Sequence, residues 1–63
     1  MLPRYYVDKV DRWGLVIRDR SKVIDVTVAR GETPRQTHKI VAAHIESYAL
    51  AGIMCEAANG RDD

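Results

Sequence analysis

The chain has 63 residues, of which 30% are charged and 46% are hydrophobic, and its formal net charge is +1. This length predicts a single domain, residues 1–63, with a small core, and the low net charge argues against the basic footprint typical of nucleic-acid-binding domains. Cys55 is the single cysteine, and His38 and His44 lack the spacing of a two-histidine metal motif. We therefore expect neither a disulfide, nor a metal, nor a cofactor.

In the first half of the chain, the residues assigned to the two faces of the sheet alternate with the two-residue period of β-strands. We predict strands at residues 4–10, 13–18 and 23–29, because β-branched and aromatic residues dominate these segments. Asp11-Arg12 and the polar run at residues 19–22 have the length of hairpin connections. The pattern therefore predicts an antiparallel β-meander.

The second half of the chain predicts one long helix over residues 34–58. Thr33 is a favourable N-cap, Pro34 suits the first helical position, and Asn59-Gly60 is typical of a helix end. The tail, residues 60–63, is expected to fray. The predicted fold class is α+β, with a three-stranded antiparallel meander followed by one C-terminal helix packed on one sheet face (βββα).

The same alternation predicts which side chains form the core between the sheet and the helix. They are Tyr5, Val7, Trp13, Leu15, Ile17, Ile24, Val26 and Val28 from the strands, and Val41, Ile45 and Tyr48 from the helix. Trp13 is placed in this core because a small domain can hardly leave its largest apolar side chain exposed.

The predicted helix has a second apolar surface. Leu50, Ile53 and Met54 lie on roughly the opposite side from the residues assigned to the core. A chain of 63 residues cannot easily bury both faces of one helix, and oligomerisation is a common support for small domains. We predict that these three residues mediate self-association and that the protein is a homodimer.

The sequence offers little support for catalysis or for membrane insertion. On one straight helix, Cys55 and His44 would be too far apart to form a thiolate–imidazole pair, so we expect the protein not to be an enzyme. The free cysteine is typical of a reducing compartment, and Pro3 and Arg4 stand where a signal peptide needs apolar residues. The longest apolar run, residues 48–55, is too short to span a membrane. The expected location is therefore the cytoplasm.

The charges are distributed unevenly along the chain. Residues 1–40 contain nine Lys or Arg and five Asp or Glu, whereas residues 41–63 contain one and four. This excess could steer an acidic partner onto the sheet, and aromatic and arginine side chains often dominate protein interfaces. The predicted partner-binding residues on the outer sheet face are Tyr6, Arg18, Arg20 and Lys22.

Two other binding modes remain open from the residues alone. The outer sheet face could instead bind nucleic acid through Arg18, Arg20, Lys22 and Thr27. Asp8 and Asp25, which are predicted on the same face, oppose phosphate binding. The third mode is pairing of a second chain with a free strand edge at Val23–Val28.

Two segments of the chain resemble a known family. The meander followed by Gly31-Glu32-Thr33 and then by Ile45-Glu46-Ser47-Tyr48 resembles the HicB-type antitoxin domain, in which a strand leads through a Gly-Asp/Glu-Thr cap into a helix. The chain is also similar to small phage and prophage accessory proteins, several of which inhibit bacterial defence. Both resemblances imply a non-enzymatic binder of proteins from bacteria or their mobile elements, which would act by covering a partner's functional surface.

Overall fold

A computed structural model describes residues 2–26 and 29–61. Its elements, in chain order, are β1 (Tyr5–Val10), β2 (Gly14–Val26), β3 (Arg35–Ile45) and α1 (Tyr48–Arg61). The three strands form one antiparallel sheet in the order β1-β2-β3, and α1 packs on this sheet. The predicted α+β fold class is therefore confirmed.

The first hairpin has the first strand that the sequence predicts, but its connection is one residue longer, because Trp13 belongs to the turn and not to β2. β1 pairs with β2 from Tyr5 opposite Asp19 to Val10 opposite Gly14. The backbone N–H of Trp13 donates to the carbonyl of Val10 at 3.0 Å, which closes the turn. Gly14 follows with a φ of 64°, a left-handed conformation that glycine adopts without the steric penalty of a Cβ atom.

The prediction of separate strands at residues 13–18 and 23–29 is wrong, because both belong to the single strand β2. The intervening polar run forms a bulge, since Asp19 pairs with Lys39 and Val23 pairs with His38. The backbone N–H and the hydroxyl of Ser21 both donate to Asp19 Oδ1, at 2.9 and 2.7 Å. The run thus satisfies its polar groups without reversing the chain. Thr27 and Val28 lie outside the described residues.

The predicted helix is also wrong over its first half, where the structure contains β3 instead. Val41 and Ile45 fit a helical spacing, but they fit the two-residue period of a strand equally well. The β-branched side chains of Thr37 and Ile40 favour the strand, and β2 supplies a backbone partner along most of its length. Pairing between distant segments therefore outweighs the local helical pattern.

The helix begins much later than the sequence pattern predicts. The N–H of Leu50 donates to Ser47 Oγ at 3.1 Å, and the N–H of Ala51 donates to the Ser47 carbonyl at 3.0 Å. Ser47, rather than Thr33, is therefore the N-cap. The helix continues to Arg61, so residues 60 and 61 are helical rather than frayed, and residues 62 and 63 lie outside the described residues.

The core is smaller than predicted and is centred on Val16, Ile17, Ala51 and Cys55. Among the described members of the predicted core, only Ile17 is fully buried. The half-buried members are Tyr5, Val7, Leu15, Val26 and Ile45, and the exposed members are Trp13, Ile24, Val41 and Tyr48. A helix rises about 1.5 Å per residue and a strand about 3.3 Å, so a helix of 14 residues is too short to cover strands of 13 and 11 residues, and part of the long hairpin remains open.

The side chain of Asn59 ties the end of the helix to the edge of the sheet. Its Oδ1 accepts from the backbone N–H of Tyr5 at 2.8 Å, and its Nδ2 donates to the Tyr5 carbonyl at 3.1 Å. The edge of β1 is therefore closed to strand pairing at Tyr5.

Within the described residues, no helix has the length and apolarity that crossing a membrane requires.

Candidate protein-interaction surfaces

A polar and aromatic network joins all three strands on the outer face of the sheet. The Tyr6 hydroxyl and His38 Nδ1 share a hydrogen bond of 2.7 Å, and their rings meet edge to face with centroids 5.6 Å apart. The guanidinium of Arg20 lies 4.0 Å from the centroid of the Tyr6 ring, within the range of a cation–π interaction. The ring of Tyr6, on β1, thus contacts side chains of both β2 and β3.

Arg18 belongs to the same network but is committed to contacts within the fold. Its Nε donates to Asp8 Oδ2 at 2.8 Å, and its Nη1 donates to Thr37 Oγ1 at 3.1 Å and to the His38 carbonyl at 2.7 Å. Its side chain is only 12% exposed. Hydrogen bonds from the Lys9 backbone N–H and from Arg18 lower the pKa of Asp8. Arg18 therefore braces the three strands, and its charge is largely neutralised.

Arg20 and Lys22 are the predicted partner-binding cations that remain available. Arg20 donates through Nε to the carbonyl of Pro3 at 2.8 Å, which leaves Nη1 and Nη2 without an acceptor among the residues that the structure describes. Lys22 is exposed in the bulge and has no ion-pair partner within the same residues. Of the four predicted residues, the fold gathers Tyr6, Arg18 and Arg20 into one network and leaves Lys22 outside it.

A second aromatic pair lies at the rim of the sheet, where the sequence predicted a core residue. Trp13 is 48% exposed, so its assignment to the core is wrong. Its ring stacks on that of His44 with centroids 5.8 Å apart and an interplanar angle of 23°. Trp13 occupies the turn before β2, at the end of the sheet. Its position directly before Gly14, which is a turn signal, could have indicated this placement.

The backbone of His44 is unusual as well. Its φ is 57°, and its N–H donates to the Trp13 carbonyl at 2.9 Å. Ala43 and His44 together lie opposite Val16, because Leu15 pairs with Ile45 and Ile17 pairs with Ala42. His44 therefore occupies the left-handed position of a β-bulge, which normally favours glycine. The bulge positions the histidine ring against Trp13.

The exposed face of α1 forms a third surface. Leu50, Ile53 and Met54 are all exposed there, with Ile53 at 63%. Beside them lies an open cleft of about 440 Å³, lined by Tyr5, Met54, Ala57, Ala58 and Arg61. The exposure of the three residues agrees with their predicted position on the helix, and their role in self-association stays a prediction.

The free strand edge predicted at Val23–Val28 belongs to a different strand from the one expected. Val23–Val26 is part of the central strand β2 rather than a separate third strand, and it pairs on one side with β3. β1 pairs with β2 only as far as Asp19, which leaves the far side of Val23–Val26 without a partner strand in the described part of the chain. The long edge of the sheet is β3.

The thiol and the potential metal ligands of the described residues were two further candidates for chemistry. Cys55 is buried, and burial raises the pKa of its thiol, which disfavours the nucleophilic thiolate. Residues 2–26 and 29–61 contain no group of three His, Cys, Asp or Glu side chains that could hold a metal ion. The arrangement instead presents aromatic rings and cations at the surface.

Comparison with known proteins does not assign the chain to a family. No family model, no curated protein and no solved structure matches it. The resemblance to HicB-type antitoxins and to phage accessory proteins therefore stays a prediction.

Proposed function

We propose that the protein is a small, non-enzymatic protein-binding module that inhibits its partner by covering a functional surface. The observation that carries the proposal is the exposure of large apolar and aromatic side chains around a very small core. They include Trp13, Val23, Ile24, Val41, Tyr48, Leu50, Ile53 and Met54. Neighbouring exposed apolar side chains, such as Leu50, Ile53 and Met54 on α1, form the kind of contiguous patch that is typical of protein interfaces.

The proposed partner-binding surface combines the cation–π pair Tyr6–Arg20 with the stacked ring pair Trp13–His44. Trp, Tyr and Arg are the residue types that most often dominate binding energy. Tyr6 pairs with Arg18, and Val10 pairs with Gly14 next to Trp13. Tyr6 and Trp13 are thus separated by about four residue pairs, or roughly 13 Å along the strands. Lys22 extends the same surface with a free cation.

The sequence resemblances suggest the origin and setting of the partner. We propose a protein partner from a bacterium or one of its mobile elements, encountered in the cytoplasm without membrane contact. The proposed active form is a homodimer that associates through Leu50, Ile53 and Met54. No cofactor is part of this mechanism, because occlusion requires only a surface.

The test begins with a pull-down from a bacterial lysate and then measures the affinity of the recovered protein for variants. Trp13→Ala and Arg20→Glu should each weaken binding about thirtyfold or more if these residues are hot spots. Arg30→Glu is the matched control, because Arg30 is an exposed cation in the loop at the other end of the sheet. Equal affinities of all four proteins would contradict the proposed surface.

Nucleic-acid binding is the second candidate, supported by the free Nη groups of Arg20 and the exposure of Lys22. Asp8 weakens this candidate, because it neutralises Arg18 on the same face. Titration with a random-sequence DNA duplex at low and at physiological salt separates the two functions. Binding that falls steeply with salt would favour nucleic acid, whereas binding through apolar contacts should change little.

A further inference from the structure

We propose that the second copy binds α1 in an antiparallel orientation, with the two-fold axis passing between Ile53 and Met54 of the two helices. This inference rests on the self-association included in the proposed function, and it specifies the surface, the direction and the register of that contact. Three features of α1 and its ends support this proposal. They are the cleft beside Met54, the exposed side chain of Leu50, and the charges of Glu46 and Arg61.

The cleft beside α1 has the form of a helix-packing hole. Its helical lining residues, Met54, Ala57, Ala58 and Arg61, follow the spacing i, i+3, i+4, i+7. Four residues at this spacing form the hole that receives one side chain from a facing helix. The two alanines make the floor shallow enough for a close approach, and Tyr5 of β1 is a further lining residue.

The side chain that fills this hole is supplied by a second copy of the same helix. In an antiparallel pair centred between Ile53 and Met54, residue 50 of one helix faces residue 57 of the other. Leu50 is exposed and apolar, as such a residue must be. The two-fold symmetry repeats the contact, so that each Leu50 enters the cleft of the other copy while Ile53 and Met54 face each other at the centre.

Two charges flank the contact at the ends of α1. Arg61 is the last residue of α1, and Glu46 directly precedes the N-cap Ser47. An antiparallel pair brings the end of each helix next to the start of the other, and therefore places each Arg61 near the Glu46 of the other copy. Neither residue has an ion-pair partner among residues 2–26 and 29–61. A parallel pair would instead place Glu46 beside Glu46 and Arg61 beside Arg61. The charges thus favour the antiparallel orientation and a second copy of this chain as the occupant.

The experiment measures dimer dissociation by analytical ultracentrifugation for the wild type, for Glu46→Lys, for Arg61→Glu and for an equimolar mixture of these two variants. Each single variant replaces two attractive pairs with two repulsive pairs and should weaken the dimer about tenfold, as expected for exposed ion pairs. The mixture restores attraction at both ends, so a heterodimer of wild-type affinity is expected.

Ile53→Glu and Val23→Glu form a matched pair of controls. Ile53 is 63% exposed and lies at the proposed centre, whereas Val23 is 56% exposed and lies on the sheet. A buried, unpaired carboxylate at position 53 should abolish the dimer at micromolar concentration, and the same change at position 23 should leave it intact. Circular dichroism confirms that each variant is folded.

Three results would overturn the proposal. They are a wild-type protein that is monomeric at high micromolar concentration, a dimer that survives Ile53→Glu, and a mixture of charge variants that dissociates as readily as each variant alone. None of these results removes partner binding through Trp13 and Arg20. Failure of the helix contact is therefore distinguishable from failure of the proposed function.

Discussion

Among single residues, Asp19 is a buried carboxylate whose charge holds the bulge in β2 together. It is 1% exposed, and its carboxylate accepts hydrogen bonds from Arg4 Nε at 3.0 Å and from Arg4 Nη2 at 3.1 Å. Ser21 donates two further bonds to Oδ1. The bond from Arg4, followed by those from Ser21, holds the pKa of Asp19 well below the usual carboxyl range. The bulge in β2 therefore depends on an ionised Asp19.

We predict that Asp19 makes the protein sensitive to acid. Because its pKa is lower in the folded than in the unfolded chain, its contribution to stability is fully present above about pH 4 and is lost as the pH falls further. Asp19→Asn should be less stable than the wild type at neutral pH and should lose less stability on acidification. Urea unfolding between neutral and acidic pH measures both effects. The exposed Asp25→Asn serves as the control, and parallel pH profiles for wild type and Asp19→Asn would contradict the prediction.

His44 tests whether backbone strain is stored at the rim of the sheet. Its φ of 57° is unfavourable for a residue with a Cβ atom, and its ring contacts Trp13. His44→Ala and His44→Gly both remove the ring, but only glycine also removes the strain. We expect the glycine variant to be more stable than the alanine variant by about 1 kcal/mol in urea unfolding. An alanine variant of equal or greater stability would show that the bulge is unstrained.

At the scale of secondary-structure elements, the start of the helix separates the two interpretations of residues 34–47. A helix that begins after Thr33 depends on the Thr33 hydroxyl, whereas α1 as observed depends on Ser47. Ser47→Ala should lower the free energy of unfolding by about 1 kcal/mol, the usual cost of losing an N-cap. Thr33→Ala, in the exposed loop before β3, should change it by less than about 0.5 kcal/mol. A larger loss of stability for Thr33→Ala than for Ser47→Ala would contradict the observed helix start and would support a helix that begins after Thr33.

The elements also show where local patterns lose predictive power. β1 could be predicted because its alternation has no competing helical period. β3 could not, because the spacing of Val41 and Ile45 suits a helix and a strand alike, and pairing with β2 decides between them. The polar run after Arg18 resembles a hairpin connection in sequence, but Asp19 satisfies the Ser21 backbone N–H in place of a turn. A contact of this kind between a side chain and a nearby backbone group leaves no periodic signal.

At the scale of the whole molecule, the fold is long and thin, with principal extents of 40 × 26 × 15 Å. β1 accompanies β2 only from Gly14 to Asp19, so the distal part of the β2–β3 hairpin has neither a third strand nor full cover from the helix. Val23 and Ile24 are consequently exposed. We define this distal part, residues 23–26 with 35–38, as the hairpin arm.

We predict that the hairpin arm opens more readily than the rest of the sheet. Segments with few buried apolar contacts exchange their backbone hydrogens at lower opening free energies. Amides of the arm should therefore exchange faster than those of residues 15–19, which include the core residues Val16 and Ile17. Hydrogen–deuterium exchange followed by NMR resolves the two groups in one experiment. Uniform protection of both groups would contradict this difference and would indicate that a second chain covers the arm.

The sequence alone determined the α+β fold class, the position of β1 and the apolar surface of Leu50, Ile53 and Met54. The last two follow from one uncontested period, whereas the fold class was predicted correctly although two of its three strands were misplaced. The sequence also assigned Tyr6 and Arg20 to one binding surface from their residue types and expected exposure, although it placed Arg20 in a connection and not in a strand. Only the tertiary structure decided that β2 continues through its bulge, that β3 replaces half of the predicted helix, and that Trp13 stacks on His44 at the rim. These features depend on contacts between residues far apart in the chain, whose energies outweigh local propensity when both conformations fit the same pattern.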